Sequence, residues 1–332
     1  MSLRLFISST ADYPFIQDDV ESLRDEFQID RYVGSGIDGA IENYRRAGRA
    51  DVSISWFGSV YTAPMVRGAR RRGKGSIVIL GGVDTACDRD MDYGLWKSRW
   101  KGRMLSWGIE HADVVFAVDE SLRKSLERCS GQSWPGIKIL PTGYDPDAWI
   151  ASGERKRMVL TVATLDIPQR VQIKGIDLLI EAARRLPNVP VVIVGAHPAI
   201  VDSLRGLLPP NVSLLPPVPR DTLHVYYSQA TVYCQPSRRE GLPNTLCEAM
   251  LCGCVPVGAE VGAIPGVVGD TGWIVPAGDV TGLAGALRHA LDAPEELRDA
   301  ARRRIVERYS RNERRRRLVE TITHIAHATT DR

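Results

Sequence analysis

No apolar run in the 332 residues approaches the roughly 20 needed for a helix to cross a bilayer. Nothing in the sequence therefore argues for a membrane-spanning helix. The six cysteines, Cys87, Cys129, Cys234, Cys247, Cys252 and Cys254, form no Cys-x-x-Cys pair and show no zinc spacing. Four of them fall within apolar segments, as buried free thiols do, and a reduced compartment fits. No Gly-x-Gly-x-x-Gly follows the first strand at residues 3–7; that spacing occurs further on, at Gly34, Gly36 and Gly39. A net charge of +3 is too small to imply a nucleic-acid partner. The apolar run at residues 1–7 is too short for a signal peptide and reads as a first strand. The expectation is a cytoplasmic protein, or one peripheral at the inner face of a membrane.

The length suggests two domains of ordinary size, and 44% apolar with 25% charged residues is the balance of a soluble globular chain. Short apolar runs alternate with amphipathic stretches throughout. In the first half, residues 3–7, 52–56, 76–80, 114–118 and 138–140 read as strands. Residues 18–27, 37–47, 63–72, 96–111 and 121–129 read as helices. In the second half, 158–163, 191–194, 212–215, 232–234, 255–257 and 272–275 read as strands. Residues 175–186, 221–229, 280–292, 294–309 and 312–328 read as helices. Such alternation implies parallel sheets covered on both faces. The turn cluster from Pro141 to Asp147 and the polar stretch 151–157 place a boundary near residue 150. The expected organisation is an α/β chain of two Rossmann-like doubly wound domains facing across a cleft. An N-terminal domain spans 1–150, a second domain 151–311, and a C-terminal helix 312–332. Ligands of such sheets bind beyond the carboxyl ends of the strands.

The most informative stretch is residues 236–248, Pro-Ser-Arg-Arg-Glu-Gly-Leu-Pro-Asn-Thr-Leu-Cys-Glu. It reads as a strand end, a tight turn at Gly241 and a helix start, with Pro243 at the first helical position. The amides of Gly241, Leu242, Asn244 and Thr245 would then point out of the helix start, where anions and above all phosphates bind. Leu246, Ala249, Met250 and Gly253 share the packing face. Glu248 lies roughly opposite and would look into a cleft, one carboxylate gripping a sugar and the other a ribose. Taken alone, Glu240 and Glu248 read equally as two solvated acids around a helix cap.

This run resembles the Glu-x7-Glu motif of the retaining family-4 glycosyltransferases, which have the GT-B fold. The resemblance continues through residues 249–257, 262–265 and 271–279 and is weak before about residue 158. It implies that residues 1–150 form the acceptor-side domain and 151–311 the nucleotide-sugar-binding domain, and it implies several residue roles. Glu240 would hold sugar hydroxyls near the anomeric carbon and Glu248 the ribose. Lys174, in Ile173-Lys174-Gly175, would contact the donor diphosphate with the amides at Gly241 and Leu242. The family often has an arginine at the end of the preceding strand. Thr164 stands there, and Arg170 in the same loop would supply the charge. Pro217-Val218-Pro219 falls where the family's backbone grips the nucleobase, which makes Val218 the base contact. Gly195 ends a buried strand and would let a ligand approach its backbone. Arg238, with Arg239, would reach a phosphate or the base, or be solvated. The Gly143-Tyr144-Asp145 step resembles the family's interdomain loop, and the last helix is expected to cross back onto the first domain.

The first domain departs from the family. Tyr13-Pro14-Phe15-Ile16-Gln17-Asp18-Asp19 replaces a Gly-Gly loop, and no histidine follows a later strand. Asp84, after Gly81-Gly82, is the best acid for orienting an acceptor hydroxyl, or else a turn residue. Asp88, Asp90 and Asp92 read as a solvated loop, and no metal or cofactor is expected beyond the nucleotide-diphosphate sugar itself. Trp96, Trp100, Met104 and Trp107 recur at helical spacing among Lys97, Arg99, Lys101 and Arg103. This pattern suits either an anionic membrane surface or a core-packing helix with a basic back. The resemblance implies a retaining transfer of a sugar from a nucleotide-diphosphate donor to a glycan or lipid-linked acceptor. A nucleotide-sugar epimerase of the same architecture and a non-catalytic nucleotide-sugar-binding protein remain the alternatives.

Overall fold

The computed structural model describes residues 2–330. The chain divides into two compact units, one made of residues up to Gly143 together with those from Arg311 onward, the other of Tyr144–Ser310.

The first unit holds a sheet of six parallel strands, β1 (Arg4–Ser9), β2 (Gln28–Val33), β3 (Val52–Trp56), β4 (Gly75–Leu80), β5 (Val114–Ala117) and β6 (Lys138–Ile139), in the order β2-β1-β3-β4-β5-β6. The central strands β3 and β4 are buried at every residue, β4 ending in the apolar run Ile77–Leu80 and β3 burying Ser53 and Ser55 between apolar residues. The edge strand β2, Gln-Ile-Asp-Arg-Tyr-Val, is absent from the sequence-based expectation. It is polar and half-exposed and takes its conformation from pairing along β1. The helix expected at 18–27 is Pro14–Leu23, with Pro14 in its first turn, and Phe27 lies beyond its end. The helix expected at 96–111 is broken. Leu95–Lys97 forms a 3-10 turn, Ser98 is extended, and the α-helix runs Arg99–His111.

The second unit also holds six parallel strands, β7 (Lys156–Leu165), β8 (Val191–Ala196), β9 (Val212–Leu215), β10 (Ala230–Gln235), β11 (Val255–Ala259) and β12 (Trp273–Val275), in the order β12-β11-β10-β7-β8-β9. Helices Ile176–Arg184 and Val280–Leu291 contribute Leu179, Ile180, Leu283 and Leu287 to a core with Val159, Ile193, Val232 and Val257.

The division between the units lies at Gly143/Tyr144 and not at residue 150. Tyr144 bridges to Ser310 and donates its hydroxyl to Asn244 Oδ1 at 2.5 Å, and Trp149 packs on Tyr227, so residues 144–149 are held by the second unit. The helix Arg311–Thr330 belongs to the first unit. It buries Leu318, Ile322, Ile325 and Ala326 along one face. Its Arg314 makes a buried two-bonded ion pair with Asp19, at 2.6 and 2.7 Å. The same guanidinium lies over the Trp56 ring and donates to the carbonyls of Leu140 and Pro141.

Candidate active site

In the second sheet the strand order reverses between β7 and β10, because β8 and β9 continue to one side and β11 and β12 to the other. Ligands of open parallel sheets bind beyond the carboxyl ends of the strands at such a point. The loops that follow β7 and β10 carry Lys174 and Glu240, and the structure brings these two side chains together. Lys174 Nζ lies 2.9 Å from Glu240 Oε2. That same oxygen accepts from Gln235 Nε2 at 3.1 Å and from Ser237 Oγ at 3.2 Å. Gln235 Oε1 in turn accepts from Tyr233 and Thr245. One carboxylate oxygen is therefore fully engaged, while Oε1 has no partner among the described residues.

Lys174 is not at a helix start. It caps the carboxyl end of the short helix Pro168–Ile173, where the helix dipole favours a cation. Gly175 then turns the chain with φ +67° into helix Ile176–Arg184. A Cβ on Gly175 would stand 1.9 Å from the Pro236 carbonyl oxygen, so glycine allows the two loops to touch.

The helix after β10 runs Asn244–Leu251, with Pro243 as its N-cap and not its first residue. Leu246 and Cys247 amides donate to the Pro243 carbonyl. The amides of Gly241, Leu242 and Thr245 donate to no acceptor among the described residues. Gly241 and Leu242 are buried, and a buried amide without an acceptor is rare in folded proteins. The turn is braced from behind, where the Gly241 carbonyl accepts from Ala263 and a Cβ on Gly262 would strike the Glu240 carbonyl.

Glu248, expected to look into a cleft, is held among protein partners. It is 3% exposed. Arg220 donates to its Oε1 through Nε and Nη2, at 3.2 and 3.0 Å, and the Tyr227 hydroxyl donates to Oε2 at 3.3 Å. Burial, with the Glu248 charge, pushes the Tyr227 hydroxyl well above its usual range. Arg220 also stacks over the Trp149 ring. Sequence reasoning stopped one residue short of Arg220, at Pro219. A lone arginine in a turn carries no spacing signal, and only the fold sets it against Glu248.

Other expected site residues lie apart from this pair or serve the fold. Arg170 is paired with Asp166 at 3.1 Å. Arg238, with 24% of its side chain exposed, is held by protein partners. It grips Asp177 through two bonds of 2.7 Å and donates to the Gln172 carbonyl. Gly195 has φ +109°, and a Cβ there would lie 2.2 Å from the Ala163 carbonyl. The neighbouring strand occupies the space a side chain would take. Val218 is half-buried in the loop after β9, and its amide has no acceptor among the described residues.

Asp84 is 0% exposed in the first unit, and both its oxygens are occupied. It accepts the amides of Gly58 and Gly82 at 2.7 Å and of Gly81 at 3.0 Å. Burial pushes its carboxyl above the usual range against the pull of those amides. It ties together the loops after β3 and β4 and is not exposed to an acceptor. The Asp-x-Asp-x-Asp run is a turn, in which buried Asp88 pairs its backbone with Tyr93 and accepts the Met91 amide. Among the described residues no three His, Cys, Asp or Glu side chains are grouped as a metal site would require. Of the tryptophan series, Trp96 donates to the Asp84 carbonyl and Trp107 stacks on His111 at 4.3 Å. The buried face of helix Arg99–His111 is Gly102, Leu105, Gly108 and Ile109, which leaves Trp100 59% exposed and Met104 beside it.

Two six-stranded parallel sheets with helices on their faces define the GT-B fold. The solved structure of sucrose-phosphate synthase from Thermosynechococcus elongatus superposes with a TM-score of 0.81 at 16% identity, covering 98% of this chain and 100% of that one. HepE of Anabaena in complex with UDP gives 0.78 at 15% identity, covering 97% and 100%. Residues 156–293, the stretch that carries β7 to β12, match the family model described as glycosyl transferases group 1. A D-inositol 3-phosphate glycosyltransferase of Mycolicibacterium paratuberculosis is 33% identical over 203 residues, covering 56% of this chain and 46% of that protein. A GDP-mannose-dependent alpha-(1-6)-phosphatidylinositol monomannoside mannosyltransferase of Mycolicibacterium smegmatis is 27% identical over 277 residues, covering 75% and 70%. For a related enzyme of Mycobacteroides abscessus, 38% identical, the chain spans 27% of its length. The chain thus spans less than half the length of the inositol-phosphate enzymes cited here. What these matches show is the GT-B fold and a second unit similar to glycosyl transferases group 1.

Proposed function

We infer that the chain is a retaining glycosyltransferase that uses a nucleoside-diphosphate sugar. The observation that carries this reading is the group at the switch point of the second sheet: three acceptor-less amides, an ammonium and a carboxylate with one open oxygen. An ammonium has three donors, and Lys174 commits one to Glu240. The other two, with the amides of Gly241, Leu242 and Thr245, suit a diphosphate. Glu240 Oε1 suits a sugar hydroxyl. Glu248, oriented by Arg220 and Tyr227, would take the ribose after a shift of its partners, and the Val218 amide the base.

In the transfer, an acceptor hydroxyl attacks the anomeric carbon as the bond from that carbon to the phosphate oxygen breaks. The departing diphosphate takes the hydroxyl proton. Negative charge builds on the leaving group, where Lys174 and the helix amides stabilise it. Such a reaction needs neither a strong protein base nor a resident metal. Turnover unchanged by EDTA is the expected result. The acceptor is a glycan or a lipid-linked saccharide. The exposed Trp100 and Met104, among Lys97, Arg99, Lys101 and Arg103, would let the enzyme rest on an anionic membrane surface on the cytoplasmic side. Co-sedimentation with phosphatidylglycerol vesicles, but not with phosphatidylcholine vesicles, is expected and should be lost in Trp100→Ser.

The deciding experiment is calorimetric titration with UDP, GDP and ADP, then turnover with glucose and mannose esters of whichever binds. A bond from a charged donor is worth about 1.5–3 kcal/mol, so Lys174→Met should weaken nucleotide binding about 10- to 100-fold. Proton NMR of the product should show the anomeric configuration of the donor. Unchanged affinity in Lys174→Met, or an inverted product, would remove the reading.

A further inference from the structure

In the first sheet the strand order reverses between β1 and β3, with β2 on the far side of β1. The loops after these strands carry an aromatic cluster. The rings of Tyr13 and Phe15 stack with centroids 5.4 Å apart and planes 7° apart. Phe57 meets Tyr13 edge-on at 5.4 Å and Phe15 at 5.8 Å. Trp56 lies beneath and is buried. Tyr13 is 38% exposed, and Phe15 and Phe57 are half-buried, so this is not closed core.

Phe57 adds an independent observation. Its φ is +60°, a left-handed conformation that bulky side chains rarely adopt. Such backbone persists only where the surroundings over-determine it, and it gathers at functional sites. Three features hold it here. Ser55 Oγ donates to the Phe57 carbonyl at 3.2 Å, and Asp84 takes the next amide, that of Gly58, at 2.7 Å. Gly81 leaves room for the ring, since a Cβ there would lie 2.1 Å from it. Buried Asp84 thus acts through the loop that aims Phe57. Beside Tyr13, Asp12 forms an ion pair with Arg31 of β2, and Asp12 is half-exposed.

We propose that Tyr13, Phe15 and Phe57 form the platform that receives the acceptor, and that the acceptor presents a saturated six-membered polyol ring, a pyranose or a cyclitol. One face of such a ring is lined with C–H groups of weak positive charge, which suit the negative face of an aromatic ring. Its hydroxyls meet the Tyr13 hydroxyl and the Asp12–Arg31 pair at the rim. The residues that replace a glycine loop after β1 are then a recognition element. This inference rests on the transferase reading for its need of an acceptor, but the site itself binds without donor.

The test is saturation-transfer NMR on the whole chain, without nucleotide, using methyl α-mannopyranoside, methyl α-glucopyranoside and myo-inositol, with mannitol as the open-chain control. At least one cyclic probe should receive saturation and mannitol should not. Tyr13→Ala and Phe57→Leu should each weaken that probe about ten-fold, equivalent to roughly 1.4 kcal/mol, with nucleotide affinity unchanged. Tyr13 is an exposed position, so its variant decides the matter should Phe57→Leu not fold. The platform is overturned if no cyclic probe binds, if mannitol binds as well, or if the folded Tyr13→Ala protein keeps wild-type affinity. Nucleotide binding without polyol binding sinks the platform alone, and polyol binding without nucleotide binding sinks the donor reading alone.

Discussion

At Glu240 the two carboxylate oxygens have different surroundings. Oε2 accepts from Lys174, Gln235 and Ser237, while Oε1 accepts from none of the described residues. Glu248, eight positions on, has both oxygens bonded inside the protein. The two glutamates look alike in the sequence and differ in what remains for a ligand. Removing a partner from a buried charge leaves its desolvation cost uncompensated. Arg220→Met should therefore lower stability by about 1–3 kcal/mol, measured by urea unfolding. An unshifted midpoint would show that Tyr227 alone suffices. Cysteines give a second residue-scale prediction. Burial pushes the thiols of Cys247, Cys252 and Cys254 up to about 12, and that of Cys234 higher still. They stay protonated at neutral pH and unreactive. Iodoacetamide on the native protein should label exposed Cys87 first and leave these four unmodified until denaturant is added.

At the scale of elements, the candidate site depends on two loops touching, and Gly175 is where they touch. Alanine there must adopt φ +67° and place a methyl 1.9 Å from the Pro236 carbonyl. Gly175→Ala should cost more than about 1 kcal/mol and, by parting Lys174 from Glu240, should also weaken nucleotide binding. A variant that melts lower yet binds nucleotide normally would separate the turn from the site. The elements themselves were unequally legible. Buried β8 and β10 announce themselves as apolar runs. Polar β2 does not, because an edge strand needs only a partner with free backbone groups. The tryptophan spacing misleads across Ser98, since a period of 3.6 has meaning only while the helix continues, and there it does not.

At the scale of the whole molecule, the chain leaves the first unit at Gly143 and re-enters it at Arg311. The returning helix is fastened by Arg314, buried with Asp19 and lying over the Trp56 ring. Breaking a buried pair by removing one partner typically costs about 3–5 kcal/mol. Arg314→Ala should lose stability of that order, read as a lower denaturation midpoint, whereas loss of exposed Arg316 should change little. Equal effects at the two positions would refute the assignment of Arg314 as the fastener.

Local chemistry in the sequence was enough for two parallel sheets, for the turn from Glu240 to Thr245 and for the glycosyltransferase resemblance around it. Strand periodicity, turn glycines and helix starts are written within a few consecutive residues. Tertiary structure alone decided which oxygen of Glu240 stays open, that Arg220 holds Glu248, that Asp84 is sealed among amides and that the rings of Phe15 and Phe57 gather beside Tyr13. Those outcomes join loops far apart in the chain, and a contact made by folding has no fixed spacing by which a linear sequence could announce it.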